Sequence, residues 1–213
     1  MLDINIKYEL QNILSGTNKV SQGDAIQAIT CYLRRSKKAS TLAETDKLFK
    51  TEEAKKLIAY IEEQKLWIDS INFNDFLSEG AEQRVYIKNN KTVYKLNDSI
   101  YYNTWLDYFN NLLLNNYFFS DTAYTLVGFH ENNKVLYAVV EQNFVKATQP
   151  TDLSEVKDFL KINGFQNTRN NDYYNPDLGI ILEDLHDENV LTQNEILYFI
   201  DTVFYIKPEI FWK

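Results

Sequence analysis

The stretch LEDLHDENVLTQNEILYFIDTVFY, residues 182–205, alternates short apolar runs with clusters of polar and charged residues. The apolar runs are typical of β-strands, and the polar clusters between them are typical of loops and turns. The pattern predicts a strand–loop–strand unit whose polar ends carry Asp184, Asn189 and Asp201. Two carboxylates and an amide gathered in this way can hold a divalent cation, because Mg²⁺ prefers oxygen ligands and completes its shell with water and phosphates.

The spacing of these residues resembles the catalytic loop of protein-kinase-like phosphotransferases. Asp184 and Asn189 fit the pattern D-x-x-x-x-N, and Asp201 follows Asn189 by twelve residues. The resemblance implies that Asp184 accepts the proton of the substrate hydroxyl and that Asn189 and Asp201 bind Mg²⁺. His186, where protein kinases usually have Lys, is similar to the small-molecule branch of the superfamily and is expected to pack or hydrogen-bond under the loop.

The same stretch departs from the family pattern at two places. Leu182 and Glu183 replace the loop His and Arg, and the triplet at residues 201–203 is D-T-V instead of D-F-G. These departures argue against control by an activation loop more than against catalysis. Asp184 and Asn189 also have a purely structural interpretation, because Asp and Asn are common in turns.

An upstream segment resembles the nucleotide-covering hairpin of the same superfamily. Residues 78–87, SEGAEQRVYI, form a glycine-containing turn that leads into a strand, and residues 92–96, TVYKL, are the returning strand. The resemblance implies that Gly80 lies over the phosphates, Val85 lies under the adenine and Lys95 orients the phosphates. One glycine stands where the full G-x-G-x-x-G pattern has three, so a looser backbone approach to the phosphates is expected. The alternative interpretation is that Lys95 is an ordinary lysine on a strand, with its side chain in solvent.

The region between the two motifs is expected to complete the nucleotide site. Residues 102–114 carry an apolar stripe at helical spacing. The resemblance implies that an acid on this helix pairs with Lys95, and Asp107 is the candidate because it is the only acid there; a plain surface acid is the alternative. Residues 141–145 are interpreted as a connector whose Gln142 and Phe144 face the adenine.

Taken together, these parts resemble the kinase domain found in polyvalent proteins of phages and conjugative elements. The resemblance covers residues 76–207 and implies an α+β, protein-kinase-like fold. It divides the chain into an antiparallel-sheet small lobe at 71–145 and a reduced, mostly helical large lobe at 146–213. Residues 1–70, with a capping-box pattern at Thr41 and Glu44, are expected to be helical and to cover the strands that bear the site.

The composition limits the partners of the chain. The 213 residues are 45% hydrophobic, which is enough for a packed core, and their formal charge of −8 makes nucleic acid an unlikely partner. Cys31 is the single cysteine, so no disulfide framework is expected. Neither a signal peptide nor an apolar run of the roughly 20 residues that a membrane helix needs is evident, which predicts a cytoplasmic protein without a membrane partner.

The resemblance implies an ATP- and Mg²⁺-dependent phosphotransferase that transfers the γ-phosphate to a hydroxyl of an acceptor, either a protein Ser, Thr or Tyr or a small molecule. A pseudokinase-like nucleotide-binding or scaffolding module is the alternative, favoured by the single glycine and the missing helix glutamate. A third interpretation is a structural partner whose amino-terminal helices form the functional surface.

Overall fold

The computed structural model describes residues 2–38, 46–68, 71, 75–80 and 83–213. Ala81 and Glu82 of the glycine turn, and the capping-box pattern at Thr41 and Glu44, lie outside these residues. Within them the chain combines helices with antiparallel sheets of five, four and two strands. The predicted α+β class is confirmed.

The elements are numbered in chain order. The helices are α1 (Leu2–Ser15), α2 (Asp24–Lys38), α3 (Asp46–Gln64), α4 (Trp105–Phe118), α5 (Leu153–Ile162) and α6 (Pro208–Phe211). The strands are β1 (Phe76–Glu79), β2 (Gln83–Ile87), β3 (Thr92–Asn97), β4 (Thr125–Asn132), β5 (Val135–Asn143), β6 (Gln166–Arg169), β7 (Asp172–Asn175), β8 (Ile180–Glu183), β9 (Val190–Gln193), β10 (Ile196–Phe199) and β11 (Val203–Ile206). None of the described helices is long and apolar enough to cross a membrane.

The amino-terminal helices pack mainly on α4. Apolar residues spaced along α1, α2 and α3 enter the same core as the buried face of α4, and α2 also contacts β4. Glu53 of α3 is buried, and its Oε2 accepts a hydrogen bond of 2.6 Å from the backbone N–H of Trp105. This carboxylate satisfies a free N–H in the first turn of α4. The helices therefore reach the site-bearing strands through α4, which packs on β11.

The five-stranded sheet has the order β1-β2-β3-β5-β4, with all neighbours antiparallel. It contains the predicted hairpin of β2 and β3, in which Val85 pairs with Lys95. Strand β5 continues to Asn143, into residues that were predicted to be the connector. Val140 and Gln142 lie on the same face of β5 and pair with β3, so the strand extends this far. Residues 141–143 are therefore strand, and the connector begins at Phe144.

The carboxyl-terminal part corrects one expectation. Residues 146–213 contain six strands, α5 and the one-turn α6, so the prediction of a mostly helical large lobe is wrong. Short apolar runs there are separated by tight turns, and Asn170, Asn194 and Glu195 adopt φ of 47°, 51° and 66° in two of them. Such turns match the twist of antiparallel strands and favour hairpins over helices. The predicted helix that follows Asp152 is present as α5, with the Asp152 side chain as its N-cap.

The pairing of β8 with β11 places the site residues at one edge. Glu183 at the end of β8 pairs with Val203 at the start of β11. Asp184 follows Glu183 along the chain, and Asp201 precedes Val203 by two residues. Antiparallel pairing thus brings the two aspartates to the same end of these strands.

Candidate active site

A cavity of about 320 Å³ lies between the five-stranded sheet and the loops that follow β8 and β10. Ligand pockets usually measure about 300–1,000 Å³, so this one is at the small end of the range. Its lining contains seven of the nine residues predicted for the site, namely Gly80, Val85, Lys95, Gln142, Phe144, Asn189 and Asp201. Asp184 contacts this group through Asn189, whereas Asp107 lies elsewhere.

Lys95 is a buried lysine, with 4% of its surface exposed. Its Nζ donates a hydrogen bond of 2.7 Å to the carbonyl oxygen of Ile200 and lies 5.5 Å from the centre of the Tyr124 ring. Burial lowers the pKa of Lys95 below its ordinary value, and the negative charge of Asp201 partly offsets this effect. The interpretation of Lys95 as a solvated strand lysine is therefore wrong.

The segment that carries Asp201 is held by side chains from α4 and from the turn that follows it. The hydroxyl of Tyr124 donates to the Ile200 carbonyl at 2.9 Å, and that of Thr122 donates to the Phe199 carbonyl at 2.5 Å. Beyond Asp201, the backbone N–H of Phe204 donates to Oδ1 of Asn111 at 2.7 Å. These contacts fix the backbone on both sides of Asp201.

Asp201 lies beside Asn189 and beneath the glycine turn. The backbone N–H of Ile200 donates to the carbonyl oxygen of Asn189 at 2.9 Å, which joins the two loops. From the opposite side, Nε2 of Gln83 donates to Oδ2 of Asp201. Gln83 is the first residue of β2, and its carbonyl oxygen accepts the backbone N–H of Gly80 at 2.9 Å. The glycine turn is therefore hydrogen-bonded to the aspartate through a residue that the sequence did not single out.

The loop at 184–189 is organised by its own side chains. Nδ2 of Asn189 donates to the carbonyl oxygen and to Oδ2 of Asp184, both at 2.8 Å. Nδ1 of His186 accepts the backbone N–H of Glu188 at 3.2 Å, and its Nε2 lies 3.2 Å from both Oδ1 of Asp184 and Nδ2 of Asn189. His186 hydrogen-bonds within the loop, as predicted, and Asn189 orients the Asp184 carboxylate.

The Asp184 backbone is strained, and its side chain is accessible. Its φ of +66° lies in the left-handed region, which is unfavourable for most residues with a Cβ. Its backbone N–H donates to Oδ1 of Asp172 at 3.2 Å, and 57% of its side chain is exposed. The neighbouring Glu183 is half-buried, and burial together with Asp172 and Asp184 raises its pKa. The loop thus presents an aspartate to solvent in a region of negative charge.

The oxygen atoms of this site fit Mg²⁺ only if phosphates and water contribute. Within the described ranges, no three His, Cys, Asp or Glu side chains gather into a group that could hold a metal. Asp201 and Asn189 supply one carboxylate and one amide oxygen, and Mg²⁺ in nucleotide sites typically takes one or two carboxylates and completes its shell with substrate phosphates and water. The two residues therefore suit a metal that arrives with a nucleotide.

The predicted pairing of Lys95 with Asp107 is wrong. Asp107 lies in the first turn of α4, where the side chain of Thr104 caps its N–H, and its charge acts on Arg34 and Lys50. Among the described residues, no carboxylate lies within 4.0 Å of the Lys95 ammonium. An acid in the first helical turn is stabilised by the helix dipole, which accounts for Asp107 without a role in the cavity.

Gln142 and Phe144 line the cavity but differ from the expected connector. Gln142 is a strand residue with 2% exposure, and its Nε2 donates to the carbonyl oxygen of Thr122 at 2.7 Å. The backbone N–H of Phe144 donates to the carbonyl oxygen of Lys91 at 2.7 Å. This N–H is used within the protein, so adenine would meet other atoms of Phe144.

The sequence matches the model of a family described as serine/threonine/tyrosine kinases found in polyvalent proteins, over residues 50–208. The chain belongs to this family. The predicted resemblance is confirmed, and a kinase-like function in general follows. Comparisons with curated proteins and with solved structures give no match. The family match begins within α3, so it includes Glu53, which caps α4.

Several residues that shape the kinase site could not be found from the sequence. Gln83, Thr122, Tyr124 and Asn111 act on the Asp201 segment from 76 to 118 positions away along the chain. No local spacing connects them to Asp201. The one available signal was the glycine pattern, in which Gln83 occupies the position of the third glycine when Val85 is aligned with the valine of G-x-G-x-x-G-x-V.

Proposed function

We propose that this protein is an ATP- and Mg²⁺-dependent phosphotransferase that transfers the γ-phosphate to a hydroxyl of a protein or small-molecule acceptor. The observation that carries the proposal is the convergence of Lys95, Asn189 and Asp201 on one cavity beneath the glycine turn. Phosphoryl transfer depends mainly on positioning and on neutralising charge, and this arrangement supplies groups for both.

Lys95 supplies positive charge inside the cavity. Its hydrogen bond to the Ile200 carbonyl partly satisfies a desolvated ammonium, and a phosphate oxygen is a stronger acceptor because it is ionised. Asp201 and Asn189 would hold Mg²⁺, which neutralises phosphate charge when bound. The ordered backbone around Asp201 fixes its carboxylate before ligand arrives.

Asp184 is the residue that accepts the acceptor's proton in this proposal. Asn189 orients its carboxylate through Oδ2, and the exposure of the side chain leaves room for a hydroxyl to approach. A general base has to lie within hydrogen-bond reach of the proton it takes. The oriented carboxylate, bonded to Asn189 of the cavity lining, meets that requirement for an acceptor that binds beside it.

Thermal unfolding with Mg²⁺ and ATP tests the binding part of the proposal. A ligand at a hundredfold excess over its Kd adds about 2.7 kcal/mol to stability. Asp201→Ala should remove the metal-dependent part of this stabilisation, whereas Asp187→Ala, which replaces an exposed acid in the loop at 184–189, should retain it. Absence of any stabilisation at millimolar Mg²⁺-ATP would refute the proposal.

A nucleotide-binding module without transfer is the second candidate. The specific observation that favours it is that Lys95 has no carboxylate partner on α4, because Asp107 interacts with Arg34 and Lys50 instead. Release of phosphate from ATP, or autophosphorylation, distinguishes the two candidates. Binding of Mg²⁺-ATP without either reaction, in both the wild-type protein and Asp184→Ala, would favour the second.

A further inference from the structure

Gln83 connects the glycine turn to the metal-binding carboxylate. Its backbone closes the turn by accepting the Gly80 N–H at 2.9 Å, and its side chain lines the cavity and donates to Oδ2 of Asp201. A glycine at this position would have no side chain to make the second contact. The chain has thus replaced a glycine of the pattern with a residue that acts on Asp201.

We propose that Gln83 is a positioning residue that donates to the Asp201 carboxylate when no nucleotide is bound and to a phosphate oxygen once the metal–nucleotide complex binds. This inference rests on the proposed function. It gives the Gln83 side chain a role at a position where a glycine would have none.

A cation bound to the Asp201 carboxylate withdraws negative charge from the oxygen that accepts the Gln83 N–H. Binding of a metal alone therefore weakens a charge-assisted hydrogen bond. Binding of a metal with its nucleotide compensates, because the released N–H meets an ionised phosphate oxygen in the same cavity.

Lys95 makes a parallel contact one residue earlier. Its Nζ donates to the Ile200 carbonyl, so two donors from the five-stranded sheet, Lys95 and Gln83, hold consecutive residues of the Asp201 segment. Both donors line the cavity, and both can turn to a phosphate. The two contacts therefore use the groups that a nucleotide would engage.

The test compares two affinities in Gln83→Ala and in the wild-type protein. Mn²⁺ binding without nucleotide is followed by the electron paramagnetic resonance of the free ion, and binding of a non-hydrolysable ATP analogue with Mg²⁺ is followed by calorimetry. We expect Gln83→Ala to bind Mn²⁺ about tenfold more tightly and the analogue about tenfold more weakly, since a charge-assisted hydrogen bond is lost in each comparison. Gln83→Glu, which adds a carboxylate beside Asp201, should enlarge both changes.

Arg84→Ala is the matched control, because Arg84 is the next residue of β2 and forms an ion pair of 2.7 Å with Glu79 of the neighbouring strand β1. It should leave both affinities within about twofold of the wild-type values, since an exposed ion pair contributes little. The same opposite changes in Arg84→Ala would overturn the inference, because loosening of the hairpin would then suffice. Parallel weakening of both ligands in Gln83→Ala, which a merely structural role predicts, would also overturn it.

The outcomes separate this inference from the proposed function. A wild-type protein that does not bind the analogue refutes both. If the wild-type protein binds the analogue, two results refute the role of Gln83 alone. One is that Gln83→Ala is indistinguishable from the wild-type protein in both titrations, and the other is that neither protein binds Mn²⁺.

Discussion

The two walls of the cavity differ in how they hold their polar groups. On the five-stranded sheet, Lys95 and Gln142 are 4% and 2% exposed, and each is hydrogen-bonded to a backbone carbonyl far away in the chain. The loop at 184–189 contributes Asn189 to the opposite wall, and the side chains of its Asp184 and His186 are 57% and 32% exposed and bond within that loop. One wall is fixed by the core, and the other is fixed by local contacts.

This difference separates residues that are held by the core from residues that, under the proposed function, act on a substrate. When a buried polar group loses its hydrogen-bond partner, the free energy of unfolding falls, whereas an exposed polar group that loses its partner is hydrated by water. Changes on the sheet wall should therefore lower stability together with ligand binding. Changes on the loop wall should lower activity alone.

The largest expected effect is on the loop wall. Asp184→Asn removes the proton acceptor while it preserves shape, and we expect the transfer rate to fall about 10²–10⁴-fold, the usual contribution of a general base. The free energy of unfolding should change by no more than about 0.5 kcal/mol, because the side chain is exposed. Phosphate release and urea unfolding measure the two quantities. Asp187→Asn in the same loop is the control and should leave the rate unchanged, and an equal loss of rate there would show that loop charge, rather than the base, matters.

The next effect is on the sheet wall and concerns stability. Gln142→Ala removes the buried hydrogen bond to the Thr122 carbonyl and leaves a void, and we expect it to lower the free energy of unfolding by about 2 kcal/mol. Gln193→Ala is a matched control, because Gln193 makes a bond of 2.8 Å to the Lys146 carbonyl at the exposed surface. Its cost should stay below about 0.5 kcal/mol. Equal losses in chemical denaturation would contradict the distinction between the two walls.

A smaller effect concerns the pH dependence that Lys95 imposes. Since burial lowers the pKa of Lys95 below 10.5, the unfolded chain binds more protons than the folded protein between the lowered pKa and 10.5. The free energy of unfolding of the wild-type protein should therefore rise with pH in that window. Lys95→Met lacks this titration, so the free energy of unfolding of the wild-type protein relative to that of the variant should rise as the pH approaches 10.5.

Urea unfolding of both proteins across that window measures this difference. Lys91→Met, which replaces an exposed lysine on the turn before β3, is the control and should give a flatter difference, because an exposed ammonium stays hydrated. A constant difference for Lys95→Met would show that folding does not desolvate the Lys95 ammonium.

The sequence predicts well those features that depend on short stretches of the chain. The β2–β3 hairpin follows from the alternation around the turn at 88–91, and Asp184, Asn189 and Asp201 follow from one spacing. Seven predicted residues lie around one cavity because each belongs to a motif whose local structure is determined by a few neighbours. Motif order along the chain was enough to place them in one site.

The features that were missed depend on distant contacts. Asp107 was chosen because it was the only acid on its helix, yet the orientation of the helix is set by packing of α4 against the amino-terminal helices. Strands β6 and β7 were not predicted, because runs of four residues carry little periodicity. Gln83 and Tyr124 contact the Asp201 segment only in the folded protein, so no spacing in the sequence predicts these contacts.

The smallest expected effect concerns Gly80, at the boundary between the two walls. A Cβ added there would meet only the Gln83 carbonyl oxygen at 3.9 Å, which is an ordinary contact, and the glycine does not adopt positive φ. Gly80→Ala should therefore change the free energy of unfolding by no more than about 0.5 kcal/mol. Gly179→Ala is the contrasting control, because that glycine has φ of +69° and its Cβ would lie 2.9 Å from Ile210. Chemical denaturation should show a marked loss of stability for Gly179→Ala alone.

A comparable loss of stability for Gly80→Ala would mean that the turn requires glycine even without a ligand. Unchanged stability with weaker Mg²⁺-ATP binding would instead mean that Gly80 contacts the phosphates.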